Sequence, residues 1–255
     1  MQREAILQVT DLKVSYGRHQ AVRGISFDVR KAETYCMVGE SGSGKSSTGR
    51  AIARLVPVES GSIKYRGQNV TAFRGESLRD YRRKVQMIFQ DTVGALNPRL
   101  SIRDSVEEPL RLLTSRTRHD VRRAAAEMLD RVGLDSSQAM RYPPQLSGGQ
   151  RQRACIARAL MLEPELVICD EPVSALDLSV QARVLDVLAE LGRDRGLSYL
   201  FITHDLGVVR RISDRVAVMK DGLIVEEGEN HDVLDRPRDP YTRRLIEAIP
   251  KVPVR

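Results

Sequence analysis

Three short stretches of this chain collect the residue types that hold phosphate, hold a divalent cation and move a proton. In Gly39-Glu40-Ser41-Gly42-Ser43-Gly44-Lys45-Ser46, followed by Ser47, the glycines let backbone N–H groups converge on phosphate oxygens without side-chain obstruction. An apolar run precedes this stretch and a helical pattern follows it, which is the setting a P-loop requires. Lys45 can then reach the β- and γ-phosphates of a nucleotide, and the Ser46 hydroxyl can ligate Mg²⁺. The second stretch, Leu166-Val167-Ile168-Cys169-Asp170-Glu171-Pro172, is an apolar strand ending in two acids. Asp170 can hold the hydration shell of Mg²⁺, and Glu171 can accept a proton from an attacking water, a role worth about 10²- to 10⁴-fold in rate. Because Pro172 disfavours helical backbone in the residue before it, Glu171 is expected to be extended. The third stretch, Leu146-Ser147-Gly148-Gly149-Gln150, follows the helix-breaking Pro143 and Pro144 and leads into a good helix former from Gln150 to Leu160. It supplies a second helix N-terminus for an anion.

Placing these groups takes an α/β framework. Ile6 to Val14 and Ile25 to Val29 alternate loosely and read as a small antiparallel opening sheet. Thr34 to Val38 is short and continuously apolar, as suits a strand buried on both faces of a parallel sheet, and a helix runs from Lys45 to about Leu55. Strands resume at Leu166 to Cys169 and Ser198 to Ile202, and Val216 to Val225 reads as a hairpin around Asp221-Gly222. Between them Val121, Ala125, Met128, Leu129 and Val132 recur at helical spacing, with Asp120 able to cap the start and Gly133 able to end the turn. The expected organisation is one domain over residues 1–255, with an α/β core at about 1–90 and 160–250 and an inserted helical subdomain at about 91–159. Internal repeats and low-complexity tracts are absent from the sequence.

Composition narrows the class. The 255 residues are 41% hydrophobic and 29% charged, the balance of a globular chain long enough for a substantial core. The net charge of +7 comes from arginines scattered along polar helix faces, which reads as a solvated surface first and membrane-surface contact second, with no nucleic acid partner. Glu4 interrupts the start of the chain and no apolar run approaches the roughly 18 residues that span a bilayer, so a cytoplasmic location is expected. Cys36, Cys155 and Cys169 each lie in an apolar segment and read as buried thiols, with neither a disulfide nor a metal site.

The inserted helices separate the third stretch from the chain's own P-loop, so one chain cannot easily bring both to the same phosphate. Two such domains head to tail can, with Ser147 and Gly149 of one completing the nucleotide site of the other.

The ordered set of the P-loop, Gln90, Leu146 to Gln150, Asp170-Glu171, Ser174-Ala175-Leu176-Asp177 and His204 resembles the nucleotide-binding domain of ABC transporters over essentially the whole chain. The resemblance implies a P-loop NTPase core of the ABC ATPase type with an antiparallel β subdomain and an inserted α-helical subdomain, using ATP and Mg²⁺. It also implies that Tyr16 stacks on adenine and that Gln90 senses Mg²⁺ and the attacking water while touching the transport channel. Asp177 would communicate across the dimer, and His204 would contact the γ-phosphate and position the water. Taken singly, Tyr16 also reads as a sheet-edge cover, Gln90 as a strand-end polar residue, Asp177 as a helix cap and His204 as a satisfied histidine at a strand end. Val85 to Asp91, Ala95 to Arg99, Cys169 to Asp177 and Asp239-Pro240-Tyr241-Thr242-Arg243 are similar to the ATPases of bacterial oligopeptide, dipeptide and nickel uptake systems. Many of those continue into a cysteine-rich tail holding an iron–sulfur cluster; no cysteine follows Cys169, so a cluster is not expected. Two departures are Ala32, where glycine is usual, and Ser47, where threonine is usual.

By this resemblance the partners are a second ABC ATPase subunit, identical or paralogous, two integral membrane permease subunits and, indirectly, an extracytoplasmic substrate-binding protein. The place of work is the cytoplasmic face of the plasma membrane. A soluble accessory ATPase of a catabolic complex, of the phosphonate-degrading type, is the alternative. A DNA-repair or chromosome-organising ATPase would place a long coiled coil between P-loop and signature, and no heptad run is present.

Overall fold

The computed structural model describes residues 4–92, 94–174 and 176–248, so that Ala175 of the Ser174-to-Asp177 motif and the two ends of the 1–255 range lie outside the described residues. The chain opens with an antiparallel hairpin, β1 (Ala5–Tyr16) and β2 (His19–Arg30), then enters the short strand β3 (Thr34–Val38) and helix α1 (Lys45–Ile52). Strands β4 (Ser60–Tyr65) and β5 (Gln68–Asn69) return to the hairpin, and α2 (Gly75–Lys84) leads into β6 (Val85–Ile88). Four helices follow: α3 (Ile102–Leu113), α4 (Arg118–Arg131), α5 (Ser136–Ala139) and α6 (Gly148–Leu160). Strand β7 (Leu166–Asp170) and the long helix α7 (Leu178–Arg195) come next, then β8 (Ser198–Thr203), α8 (Leu206–Ile212), β9 (Arg215–Lys220), β10 (Leu223–Glu229), α9 (Asn230–Asp235) and α10 (Pro240–Glu247).

These elements form two compact units, one holding the described residues up to Arg79 and from Ser198 onward, the other Asp80–Leu197. In the first unit, β2-β1-β4-β5 make an antiparallel sheet, and the strand order β10-β9-β3-β8 puts β3 between two parallel neighbours. The central position of β3 follows from its sequence: Tyr35 to Val38 are fully buried, and all six residues of β8 are buried beside them. The loose alternation of β1 has a physical cause, because the register breaks between Val9 and Leu12, where Asp11 takes φ 45° and an extra residue bulges out. Beyond that bulge Leu12 and Val14 return to the core. Strand β4 gave little sequence signal, since Ser60-Gly61-Ser62 is polar and only Ile63 and Tyr65 are buried. It forms by pairing with β1, Val9 opposite Ile63 and Leu7 opposite Tyr65.

One ion cluster ties the antiparallel sheet to the parallel strands of this unit. The Arg215 guanidinium on β9 meets Asp28 of β2 at 3.3 Å, Glu33 at 3.4 Å and Glu227 of β10 at 2.5 Å, and lies 5.1 Å from the ring of Tyr35, which stacks on Phe27. Burial raises the Glu33 carboxyl above its usual range, although the Arg30 N–H and Arg215 pull it the other way.

The departure at Ala32 acquires a meaning here. It stands between β2 and β3 at φ 52°, a left-handed backbone that costs a residue with a Cβ about 1–2 kcal/mol. Ala32→Gly should therefore stabilise the chain by about 1 kcal/mol, partly offset by glycine's larger unfolded-state entropy. Its Tm should rise by about 2–4 °C; a melt that does not rise would show that the turn carries no strain.

In the second unit β6 and β7 run parallel, with Val85 opposite Leu166 and Ile88 opposite Cys169. Helix α4 buries Val121, Ala125, Met128 and Leu129 as the spacing requires, but its cap is Thr117, not Asp120. The Thr117 hydroxyl oxygen accepts the Asp120 N–H at 3.2 Å and the hydroxyl itself donates to the Asp120 carboxylate at 2.6 Å, so Asp120 serves the helix from its third position. Gly133 follows the helix at φ 71°. The three cysteines are free and buried, and burial pushes the Cys155 thiol up to about 11.

Candidate active site

In the first unit, the Gly39–Ser46 loop leaves the end of β3 and enters α1, whose first turn carries no acidic side chain. That leaves the positive end of the helix free to face an anion. Gly44 has φ 104°, and a Cβ there would stand 2.3 Å from the Ala21 carbonyl oxygen on β2, so only glycine lets the loop lie this close to the hairpin. Lys45 is 5% exposed, and its ammonium donates to the Gly39 carbonyl at 2.8 Å, the Glu40 carbonyl at 2.7 Å and the Ser43 hydroxyl at 3.3 Å. All three acceptors belong to the loop that the ammonium would leave for a phosphate. Ser41 and Gly42 are exposed at the loop's crest, while Ser46 and Ser47 are half-buried.

The same unit positions Tyr16 and His204. Tyr16 ends β1 opposite His19, is 44% exposed, and belongs to the hairpin whose Ala21 carbonyl meets Gly44. Val38 of β3 pairs with Thr203 of β8, so Gly39 and the exposed His204 leave neighbouring strands at the same end. Two residues that the sequence reading did not assign to the site brace the loop. The Gly222 N–H, in the turn between β9 and β10, donates to the Ser43 carbonyl at 3.0 Å, and the Glu40 N–H donates to the Tyr241 hydroxyl at 3.1 Å. The Asp221-Gly222 turn and the Pro-Tyr-Thr stretch were both visible as motifs, but neither carries a local sign of what it touches.

The second unit brings Gln90, Asp170 and Glu171 together at the ends of β6 and β7. Asp170 is 1% exposed, and the Gln90 side-chain amide donates to Glu171 Oε2 at 2.8 Å. The expected extended geometry at Glu171 is not found: its φ is 48°, in the left-handed region. Proline biases its predecessor toward extended backbone without fixing it there. Here the chain reverses as it leaves β7, and the Ser174 N–H and hydroxyl close the turn onto the Glu171 carbonyl at 3.4 and 3.1 Å. Left-handed backbone at a residue with a Cβ costs on the order of 1–3 kcal/mol and persists where neighbours over-determine it. The Gln90 bond to the carboxylate and the Ser174 bonds to the carbonyl do so here.

Helix α6 starts at Gly148, two residues before the expected Gln150, because Ser147 caps it. Ser147 and Gln150 form a reciprocal capping box, the Gln150 N–H donating to the Ser147 hydroxyl oxygen at 3.2 Å and the Ser147 N–H to the Gln150 side chain at 3.0 Å. The Ser147 hydroxyl keeps its own proton for an acceptor, and the Gly148 and Gly149 N–H groups have no intrahelical acceptor. A Cβ at Gly149 would come within 3.0 Å of the Leu176 side chain, so the start of α6 lies beside the segment leading to Asp177. Asp177 caps α7: its Oδ1 accepts the Val180 N–H at 3.0 Å and the Ser179 hydroxyl at 2.7 Å, and these bonds hold its carboxyl below the usual range.

Among the described residues no group of three or more His, Cys, Asp and Glu side chains could hold a metal ion. Mg²⁺ commonly takes one or two protein oxygens and completes its shell with phosphates and water; Ser46 in the first unit carries an oxygen of that kind, and so does Asp170 in the second.

The ABC transporter family matches residues 22–174. The chain is 47% identical to the glutathione import ATP-binding protein GsiA of Pectobacterium atrosepticum over 97% of its own length, and 50% identical to GsiA of Escherichia coli K12 over 90%. It spans only 41% and 37% of those two proteins. Among solved structures, the dimeric bacterial ABC transporter cassette MJ0796 superposes with a TM-score of 0.83 at 28% identity, covering 88% of this chain and 98% of that one. The same cassette in a dimeric post-hydrolysis state bound to ADP and Pi gives 0.82 at 28% identity, with the same coverage. cbiO1 from Clostridium perfringens, part of the transporter complex cbiONQ, gives 0.81 at 26% identity and 92% coverage of each chain.

Proposed function

Since the chain belongs to the ABC transporter family, we propose that it binds and hydrolyses ATP for a bacterial importer, coupling closure of paired cassettes to uptake of a peptide or related small solute. The observation that carries the hydrolytic part is the Glu171 carboxylate, held at the end of β7 by the Gln90 amide at 2.8 Å and next in sequence to the buried Asp170. The import part is supported by the likeness to GsiA, whose named solute, glutathione, is itself a small peptide.

In this reading Tyr16 stacks on adenine, and Gly39 to Ser47 wrap the phosphates with backbone N–H groups. Lys45 neutralises charge on the γ-phosphoryl group. Mg²⁺, when bound through Ser46, Asp170 and Gln90, offsets negative charge on the phosphate oxygens. Glu171 takes the proton of the attacking water, with His204 and Gln90 fixing that water's position. Ser147, Gly148, Gly149 and Gln150 of the paired cassette present a helix N-terminus to the γ-phosphate, and Asp177 carries the state of one site to the other. The α/β core at about 1–90 and 160–250 supplies the P-loop and acids, and the helical subdomain at about 91–159 supplies the signature. Such catalysis is positioning plus electrostatics, with no covalent intermediate.

No helix of the described residues is long and apolar enough to cross a membrane. On the likeness to import ATP-binding proteins, the reading places the protein on the cytoplasmic face of the plasma membrane, bound to two permease subunits through the stretch from Gln90 to Arg99. Tagged protein captured from detergent-solubilised native membranes should retain two integral membrane subunits, identified by mass spectrometry. Recovery only with soluble enzymes would replace the importer by an accessory ATPase of a catabolic complex.

A further inference from the structure

The stretch Asp239-Pro240-Tyr241-Thr242-Arg243 has no part in the chemistry above, yet the first unit anchors it with unusual thoroughness. The Glu226 carboxylate on β10 accepts the N–H groups of Arg238 and Asp239 at 2.8 and 3.1 Å, fixing the approach to α10. Asp239 then caps the helix, accepting the Tyr241 N–H at 2.7 Å and the Thr242 N–H at 3.4 Å, and Pro240 occupies the first turn where its missing N–H is not needed. Thr242 is 1% exposed and Tyr241 7%, with the Lys220 ammonium 5.1 Å from the tyrosine ring. Burial raises the pKa of the Tyr241 hydroxyl, so the group is a neutral phenol whose oxygen accepts the Glu40 N–H at 3.1 Å.

The Glu40 N–H and the Gly39 carbonyl belong to one planar peptide unit. Lys45 grips that unit through the carbonyl at 2.8 Å, and Tyr241 grips it through the N–H at 3.1 Å. A nucleotide that draws the Lys45 ammonium onto its phosphates removes the first grip and leaves the second. We propose that Tyr241 is a positioning residue for nucleotide binding, holding the Gly39–Glu40 peptide in place while Lys45 exchanges the loop's carbonyls for phosphate. This rests on the nucleotide site assigned above. It gives α10 a direct connection to the entrance of the P-loop, so the state of that helix sets ATP affinity.

Tyr241→Phe removes the hydroxyl and keeps the ring beneath Lys220. The loss of one such hydrogen bond should weaken ATP binding about three- to tenfold and raise KM by the same factor, with kcat at saturating ATP within about twofold. The hydroxyl's bond to the Glu40 N–H is also present without nucleotide, so the melting temperature of the free protein should fall slightly, while the added stability conferred by ATP should shrink. Asp239→Ala, which loosens the start of α10, should weaken ATP binding in the same way and add little to Tyr241→Phe in the double variant. Unchanged ATP affinity in Tyr241→Phe overturns the proposal, as does a lowered melting temperature of the free protein with affinity intact. Lys45→Ala measured alongside separates the two assignments. If it loses ATP while Tyr241→Phe does not, the Tyr241 role alone fails; if both bind ATP normally, the nucleotide site itself is misplaced.

Discussion

Glu171→Gln is expected to bind ATP as the unaltered chain does and to turn it over about 10²- to 10⁴-fold more slowly. The substitution removes basicity and keeps the length and shape of the side chain. A glutamine side chain still presents an oxygen to the Gln90 amide, which now donates to Glu171 Oε2 at 2.8 Å. The turn that sets the φ of 48° is closed by backbone and Ser174 and does not depend on the side-chain charge. Binding without turnover should also trap the paired cassettes, visible as ATP-dependent association in gel filtration. Turnover at the normal rate would take Glu171 out of the proton-accepting role and leave the left-handed backbone there without a function.

Lys45→Ala should have the second large effect, on binding itself. Each hydrogen bond from a charged donor contributes about 1.5–3 kcal/mol, so losing the contacts of the ammonium to phosphate should weaken ATP by a factor of about 10² or more. The free protein should suffer as well. The Gly39 and Glu40 carbonyls, now served by the ammonium at 2.8 and 2.7 Å, would lose that donor, at a cost of about 1–3 kcal/mol in stability. Fluorescent-nucleotide titration together with a thermal melt reads both quantities. Unchanged ATP affinity would contradict the phosphate contact.

What could be read from the sequence was what adjacent residues decide. The strand, loop and helix around Lys45 follow from a buried apolar run, glycines and a helix former in immediate succession, and the structure places them as β3 and α1. Asp170 was equally plain, since an acid ending a fully apolar strand has one place to go. Glu171 was misread because the local steric bias toward extended backbone was overridden by a turn closed three residues later. The cap of α4 was misplaced for a related reason: Thr117 and Asp120 are both good caps, and their mutual hydrogen bonds settle which residue begins the helix. Strand β4 exists because β1 offers it an edge, which Ser60-Gly61-Ser62 does not announce. The hold of Tyr241 on Glu40 joins residues 201 positions apart, and no pattern of spacing predicts such a pair.

The turn between β9 and β10 has a consequence for how this chain can vary. Gly222 donates to the Ser43 carbonyl at 3.0 Å and accepts the Arg23 N–H at 2.9 Å, and a Cβ on it would stand 2.8 Å from the Arg23 side chain. Hairpin tips are ordinarily where insertions, epitope tags and permuted termini are tolerated. This tip works as a spacer of fixed length between the opening hairpin and the phosphate loop, so one added residue would displace Ser43. The turn at Arg66-Gly67, where a Cβ on the glycine would meet nothing within 4 Å, is the place to insert a reporter.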